Sequence, residues 1–396
     1  MEVGEKTIIK RRLTYLAGFW LTAHMALAAY INSTFLQGLL FDEKLVGLVF
    51  AVGSFLAILG ILSATSLLNK FGARYSLIGF SGFGLLASAL LAFWPSRSIG
   101  LVFIFIIYYA SGFLSRFFLD VYLEKLSDDS ETGLIRALFL TAANVAWIIS
   151  PFIAGLLLTN GDNWKIYAVS GACLLPLLFI ASRYLTERRV PGGYARFRAW
   201  RKLGELLSAG DQKSKNILNI LLVDFGLNFF YALMVIYSPI YLYNHIGLTW
   251  SQIGLIFSIM HIPFLFFQLP LGQLADRRLG EKEILVVGLI IIILATASLS
   301  IPTMPVFWLW ATIFFLTRTG ASAIEVAKES YLFKMIGPED SEVIALSRIN
   351  LPLAYMIVPI ITSFFFFFFS FRLIFIFLAL AVSVSLIPAS RLVDTR

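Results

Sequence analysis

Apolar runs of twenty or more residues recur from one end of this chain to the other, and they leave few architectures open. Such runs are the mark of transmembrane helices. The 396 residues are 59% hydrophobic and only 14% charged, where a soluble protein carries about 25% charged residues. At about 20 apolar residues per span, the pattern predicts twelve spans, over 13–38, 45–68, 75–94, 98–122, 134–158, 165–185, 215–243, 250–274, 283–302, 305–332, 342–368 and 371–390. The opening stretch MEVGEKTIIKRRLTYLAGFW shows no small-residue cleavage site after a short apolar run, so the first span is expected to remain in the mature protein. Cys173, the single cysteine, lies in an apolar run and reads as a small buried hydrophobe.

The net charge of +8 is concentrated, with nine Lys/Arg against three acids within residues 183–215. In a membrane protein such a block marks a cytoplasmic loop beside anionic lipid rather than a nucleic-acid surface. It divides the chain into residues 1–185 with six spans, a basic linker over 186–213, and residues 214–396 with six more. A short amphipathic helix is expected in the linker around Phe197–Leu207, lying on the inner leaflet. If both termini are cytoplasmic, the outer loops carry only Lys44, Arg97, Lys165 and Arg372, and nearly all other basic residues fall inside. The inner (plasma) membrane, with both ends in the cytoplasm, is the expected setting.

The two halves repeat each other. Gly47 matches Gly254 at an offset of 207, Gly72 matches Gly280 at 208, Pro151 matches Pro359 at 208, and Lys165 matches Arg372 at 207. YLEKLSDDSE (122–131) likewise matches YLFKMIGPED (331–340) at 209. Six spans separate equivalent points, so the repeat runs parallel in the membrane, related by a pseudo-twofold axis along its normal.

One charged stretch stands out between the eighth and ninth spans, LGQLADRRLGEKE (271–283), and its repeat twin between the second and third is SLLNKFGARYS (66–76). These loops resemble the signature of the major facilitator superfamily, Gly-x-Leu-Ala-Asp-Arg-x-Gly-Arg-Lys. Gly272, Leu274, Ala275, Asp276, Arg277, Gly280 and Lys282 match it, with one extra residue before the second glycine. The first copy keeps Leu67, Lys70, Gly72 and Arg74, with Asn69 in the place of the acid and Thr65 in that of the first glycine. The resemblance covers the whole chain. It implies an all-α integral membrane protein of major-facilitator type, two pseudo-symmetric six-helix bundles whose first, fourth, seventh and tenth spans line a central cavity. The loop residues would then form a gate, with Asp276 pairing across the halves. In the fifth span, NVAWIISPFIAG (144–155) resembles the superfamily's antiporter signature at Pro151 and Gly155, with Ser150 and Ala154 as small substitutes. Arg116 is similar to an arginine of drug exporters, although the glycines expected after it are missing.

Ionisable residues within spans cost about 2.5–3.5 kcal/mol each on insertion scales, so each needs a reason. Trp20, His24 and Asn32 lie in the first span, and Arg116, Asp120 and Glu124 in the fourth. Asp224, Asn228 and Tyr231 share one face of the seventh, at i, i+4 and i+7. Arg318, Glu325 and Glu329 share a face of the tenth, with Lys328 beside it. At 1.5 Å per residue, His24, Asp224 and Arg318 lie on the order of 14–17 Å from the helix ends, near the midplane. These three, with Trp20, Asn32, Asn228 and Tyr231, are the candidates for substrate binding or proton coupling. Asp224 facing Arg318 could be such a site or a fixed neutral pair, and His24 a cavity residue or a satisfied histidine. Arg116, Asp120, Glu124, Glu325 and Glu329 are expected to form a structural network with the loops and with Arg136 and Arg348. His261 and Gln268 share a face of the eighth span and read as packing.

A secondary active transporter of a small molecule, working by alternating access, fits these features best. Proton-coupled efflux is the expected form, with uptake of a sugar or other metabolite as the alternative and a membrane-embedded non-transport protein less fitting. No Gly-Lys dipeptide occurs, which removes a Walker-type loop and ATP drive on this chain. A membrane enzyme would need clustered nucleophiles or metal ligands, whereas the three histidines and one cysteine are scattered. No cofactor and no metal are expected, the proton gradient being the energy source. The expected partners are the substrate and membrane lipids, with no nucleic acid, and the chain is expected to be a monomer. FFFFFF (364–369) reads as lipid-facing bulk.

Overall fold

The computed structural model describes residues 2–94, 98–124, 132–158, 162–186, 199–275, 279–336 and 341–393, and among these it contains helices and turns but no strand. The chain divides into two compact units, Met1–Arg196 and Phe197–Arg396. The first holds α1 (Glu2–Ala29), α2 (Asn32–Leu40), α3 (Glu43–Leu62), α4 (Ala64–Lys70), α5 (Gly72–Phe93), α6 (Gly100–Glu124), α7 (Thr132–Leu157) and α8 (Asn163–Arg183). The second holds α9 (Ala199–Ala209), α10 (Gln212–Ile240), α11 (Trp250–Phe266), α12 (Gln268–Leu274), α13 (Glu281–Ser298), α14 (Phe307–Met335), α15 (Ser341–Phe365), α16 (Ile374–Ser383) and α17 (Leu386–Arg391). A π turn, Tyr241–His245, extends α10 just beyond Pro239.

Nine segments among the described residues are long and apolar enough to cross a membrane. The remaining long helices, α1, α13 and α14, each carry charged residues within their length, and with them the set is consistent with the twelve spans expected. Large apolar side chains such as Phe83, Phe103, Phe179, Leu294 and Leu380 are more than half exposed on the helix surfaces. In water such a surface would aggregate; in lipid it is the solvent-facing surface, and the helices are held together by packing and interhelical hydrogen bonds.

Several expected spans are broken, and proline explains two of the breaks. Pro270 cannot donate to the carbonyl four residues back, at Phe266, and the helix is interrupted at Phe267. Pro388 stands in the same relation to Val384, where α16 gives way to α17. The first span breaks at Tyr30–Ile31, where the Ile31 N–H reaches back three residues to Ala28 at 2.9 Å. Thr249 and Gln252 form a reciprocal capping box that starts α11. The phenylalanine run leaves its helix early: α15 ends at Phe365, and Phe364, Phe367, Phe368 and Phe369 are exposed in and beside the turn that follows.

The internal repeat is visible in the packing. In the first unit α1 packs on α6, α7 and α8, α5 packs on α6 and α8, and α3 packs on α6. In the second, α10 packs on α14, α15, α16 and α17, α13 packs on α14 and α16, and α11 packs on α14. Each of these pairings in one unit thus has its counterpart in the other. The two loop glycines match as well, since Gly72 has φ 80° and Gly280 φ 89°, left-handed values that admit glycine without strain. The amphipathic segment is α9, which packs on α10 and α15.

Candidate functional site

The polar interior of the second unit is built on Asp224. This residue lies midway along α10 with a side chain only 4% exposed. Four donors meet its carboxylate. Asn228, one turn on, donates its amide to Oδ1 at 3.1 Å and to the Asp224 backbone oxygen at 2.8 Å. From α15, Ser347 and Asn350 donate to Oδ2 at 3.0 and 2.8 Å. From α14, the Lys328 ammonium forms an ion pair with Oδ1. Asn350 also donates to the Leu221 carbonyl at 3.0 Å, tying α15 to α10 one turn earlier. A carboxylate desolvated to this degree is stable only when paired and fully hydrogen-bonded, and Asp224 is both.

The expected pairing of Asp224 with Arg318 is therefore corrected: the partner is Lys328. Arg318 is 2% exposed and stacks over the rings of Phe230 and Tyr231, with its guanidinium carbon 5.1 and 5.0 Å from their centroids. Tyr231 in turn donates its hydroxyl to Glu325 at 3.0 Å. Glu325 thus joins the cluster around α10, and Glu329, nearly half exposed, lies 3.8 Å from Lys328. Sequence reasoning singled out Asp224, Asn228, Tyr231, Arg318, Glu325 and Glu329, and the fold gathers them between α10 and α14. It overlooked Lys328 as a partner and missed Ser347, Asn350 and Phe230 altogether. The signal for two of these was present, as Ser347 and Asn350 stand at i and i+3 in an apolar helix.

The first unit has a polar interior of another kind. His24 is buried, and its Nδ1 lies 2.9 Å from the Ser170 carbonyl oxygen and 2.8 Å from the Ser170 hydroxyl. A carbonyl can only accept, so Nδ1 carries the proton. Ser170 returns a hydrogen bond to the His24 carbonyl at 2.9 Å and lies 3.2 Å from the Tyr108 hydroxyl. Tyr167 donates to Asn32 at 3.0 Å. His24 is thus tied through Nδ1 to α8, and its ring lies edge-on to that of Tyr108 on α6. Trp20 is half-buried and packs edge-on against Phe19.

Arg116 braces the first unit: its guanidinium donates to Thr22 of α1 at 3.3 Å, lies 3.5 Å from Asp120, and covers the Phe139 ring of α7 at 5.0 Å. Glu124 and Arg136 are placed on α6 and α7, but their side chains fall outside the described residues, and Arg348 sits half-buried on α15. Of the loop motif, Asp276 and Arg277 lie outside the described residues. Arg74 donates from Nε to the Ala181 carbonyl at 2.9 Å and from Nη2 to the Ser182 carbonyl, closing the C-terminal end of α8. Lys70 lies over the Phe71 ring, Asn69 is exposed, and Gly272 packs α12 against Val326. Glu281, buried at the start of α13, accepts from Ser330 at 2.8 Å and pairs with Lys334, fastening that loop to the end of α14. His261 bonds its own helix at the Phe257 carbonyl, 2.6 Å away, and the break at Phe267 puts Gln268 on a different helix.

A family model described as Major Facilitator Superfamily matches residues 14–327 and, in a second match, 229–395. The chain belongs to the Major Facilitator Superfamily. Solved structures agree on the fold. The POT-family transporter PepTSo superposes with a TM-score of 0.73, at 10% identity, over 96% of this chain and 97% of that one. A mutant POT peptide transporter in complex with alafosfalin gives 0.75, at 10% identity, over 96% and 93%. No curated protein matches the chain significantly. This major facilitator is a multi-pass membrane protein and a transporter of a small molecule, not an enzyme.

Proposed function

We propose that this transporter moves its substrate by alternating access, coupled to protons, with the Asp224–Lys328 pair as the coupling element and export as the direction. The observation that carries the reading is a single carboxylate held by three helices, through Asn228 on α10, Lys328 on α14, and Ser347 and Asn350 on α15. Any rearrangement that moves α14 or α15 relative to α10 must break part of that set. Parting the two charges in a low-dielectric interior costs several kcal/mol per ion, and a proton on the carboxylate removes one of them. Conformational change and proton uptake are then one event. Export is supported by the antiporter-like positions Pro151 and Gly155 in α7. The basic block over 183–215 supports cytoplasmic termini in a plasma membrane, and a monomer is the simplest assembly for this fold.

Transport in proteoliposomes with and without an imposed pH gradient tests the proposal. The wild type should concentrate substrate only when the gradient is present, and the sign of the gradient required separates export from uptake. Asp224→Asn should lose concentrative transport and keep exchange of labelled substrate. Full gradient-driven transport by that variant would rule out the coupling role. Cysteines placed at Arg97 and Arg198 should differ in labelling from outside intact cells, only the former reacting.

A further inference from the structure

Three Asp, Glu, Lys or Arg side chains are fully buried among the described residues: Asp224, Glu281 and Arg318. The first two are satisfied by charge and hydrogen bonds, Asp224 by Lys328 and three neutral donors, Glu281 by Lys334 and Ser330. Arg318 is not. Its Nε and Nη1 are both sealed from solvent and find no hydrogen-bond acceptor among the described residues. The rings of Phe230 and Tyr231 hold the cation from their faces but offer no acceptor in the guanidinium plane. The nearest carboxylate along its own helix, Glu325, is seven residues away and takes the Tyr231 hydroxyl instead.

An uncompensated guanidinium at this depth is costly, and the same bundle contains carboxylates that satisfy other groups. We infer that Arg318 is the recognition point for an oxyanion, a carboxylate or phosphate, carried by the transported molecule. This assignment rests on the transport reading above. The rings of Phe230 and Tyr231 hold the guanidinium 5.1 and 5.0 Å from their centroids, and its five donors suit a bidentate oxyanion. Tyr231 gives the site a second role, because its ring touches Arg318 while its hydroxyl reaches Glu325. Occupancy at Arg318 is thereby linked through one side chain to the cluster around Asp224 and Lys328.

Equilibrium binding to the purified protein tests this without transport, using a panel of small carboxylates each paired with its neutral amide, and phosphate monoesters each paired with the parent alcohol. The anionic member of at least one pair should raise the melting temperature of the wild type while its neutral partner does not, and whichever pair responds distinguishes carboxylate from phosphate. Arg318→Gln should weaken that binding tenfold or more, and Arg318→Lys, which keeps the charge but not the fork, should fall between. Equal binding of acid and neutral partner, undiminished anion binding by Arg318→Gln, or a wild type that binds no anion in the panel would overturn the assignment. If Arg318→Gln does not fold, the wild-type pairs and the Lys variant still decide it. A protein that binds the anion but ignores a pH gradient would overturn the coupling reading and leave this one standing.

Discussion

Lys328 and Asp224 meet across α14 and α10 with side chains 12% and 4% exposed, forming an ion pair inside a bundle whose outer surface is apolar. Neither charge is tolerable there alone. The pair lives because Asn228, Ser347 and Asn350 occupy the remaining lone pairs of the carboxylate.

Removing one partner should therefore be worse than removing both. Lys328→Met leaves a buried carboxylate and should cost about 3–5 kcal/mol. The double variant Asp224→Asn with Lys328→Met discards both charges and should recover most of that loss while remaining unable to use a gradient. Melting curves of the single and double variants check this, and a double variant as unstable as Lys328→Met would refute it.

Gly288 and Gly320 bring the backbones of α13 and α14 together. A Cβ on Gly288 would lie 2.9 Å from the Gly320 carbonyl oxygen, and one on Gly320 would lie 2.6 Å from that of Gly288. Backbone cannot yield as a side-chain tip can, so Gly320→Val should force α13 and α14 apart and sharply reduce the yield of folded protein. Gly79→Ala, where nothing lies within 4 Å, is the matched control and should be neutral or mildly stabilising. Monodispersity on size exclusion reports both.

The loop glycines should be sensitive for a different reason. Alanine or asparagine at Gly72 or Gly280 must adopt a positive φ, at about 1–3 kcal/mol each. At Gly280, whose ψ of 160° lies in a region open essentially to glycine alone, asparagine should be no milder than alanine. Thermal melts of the four single variants give the ranking, and an alanine variant as stable as wild type would show that the turn can re-form otherwise.

Asp211 caps α10, accepting from the Ser214 backbone N–H at 3.2 Å. Hydrogen bonds from the Ser214 side chain, and next from its backbone, hold the Asp211 carboxyl below the ordinary carboxylate value. Because the folded value is depressed, the stabilisation is complete above the unfolded value of about 4 and fades as pH falls through the folded one. Hydrogen exchange at residues 212–216 should show the first turn fraying at low pH in the wild type. Asp211→Asn should keep its cap across that range, and Asp211→Ala should fray at every pH.

The helices were legible because a lipid-facing run is a continuous signal, and so was the duplication, whose landmarks became matched packing pairs and two glycines of positive φ. Asp224 was legible as an acid deep in an apolar helix. Its partner was not, because Lys328 lies roughly 60–100° around α14 from the face defined by Glu325 and Glu329, and a four-carbon stem erases that angle. Arg318 shows the converse. Equal depth made it the obvious mate for Asp224, but depth along two helices says nothing about rotation around them, and its side chain went to two aromatic rings instead. The breaks at Phe267 and Val384 were readable from Pro270 and Pro388, yet hydropathy alone runs through both.

The twin bundles share a skeleton but not a charge distribution. In the first, the enclosed polar groups around His24 are hydrogen-bonded residues, and the Arg116–Asp120 pair sums to zero. In the second, Asp224, Lys328 and Arg318 sit among apolar helices. A membrane potential does work only on charge, about 2.3 kcal/mol per elementary charge carried across 100 mV. The Asp224–Lys328 pair also sums to zero while it is intact, so through it voltage gains purchase on α10 and α14 only when a proton or a parting of the two helices unbalances it.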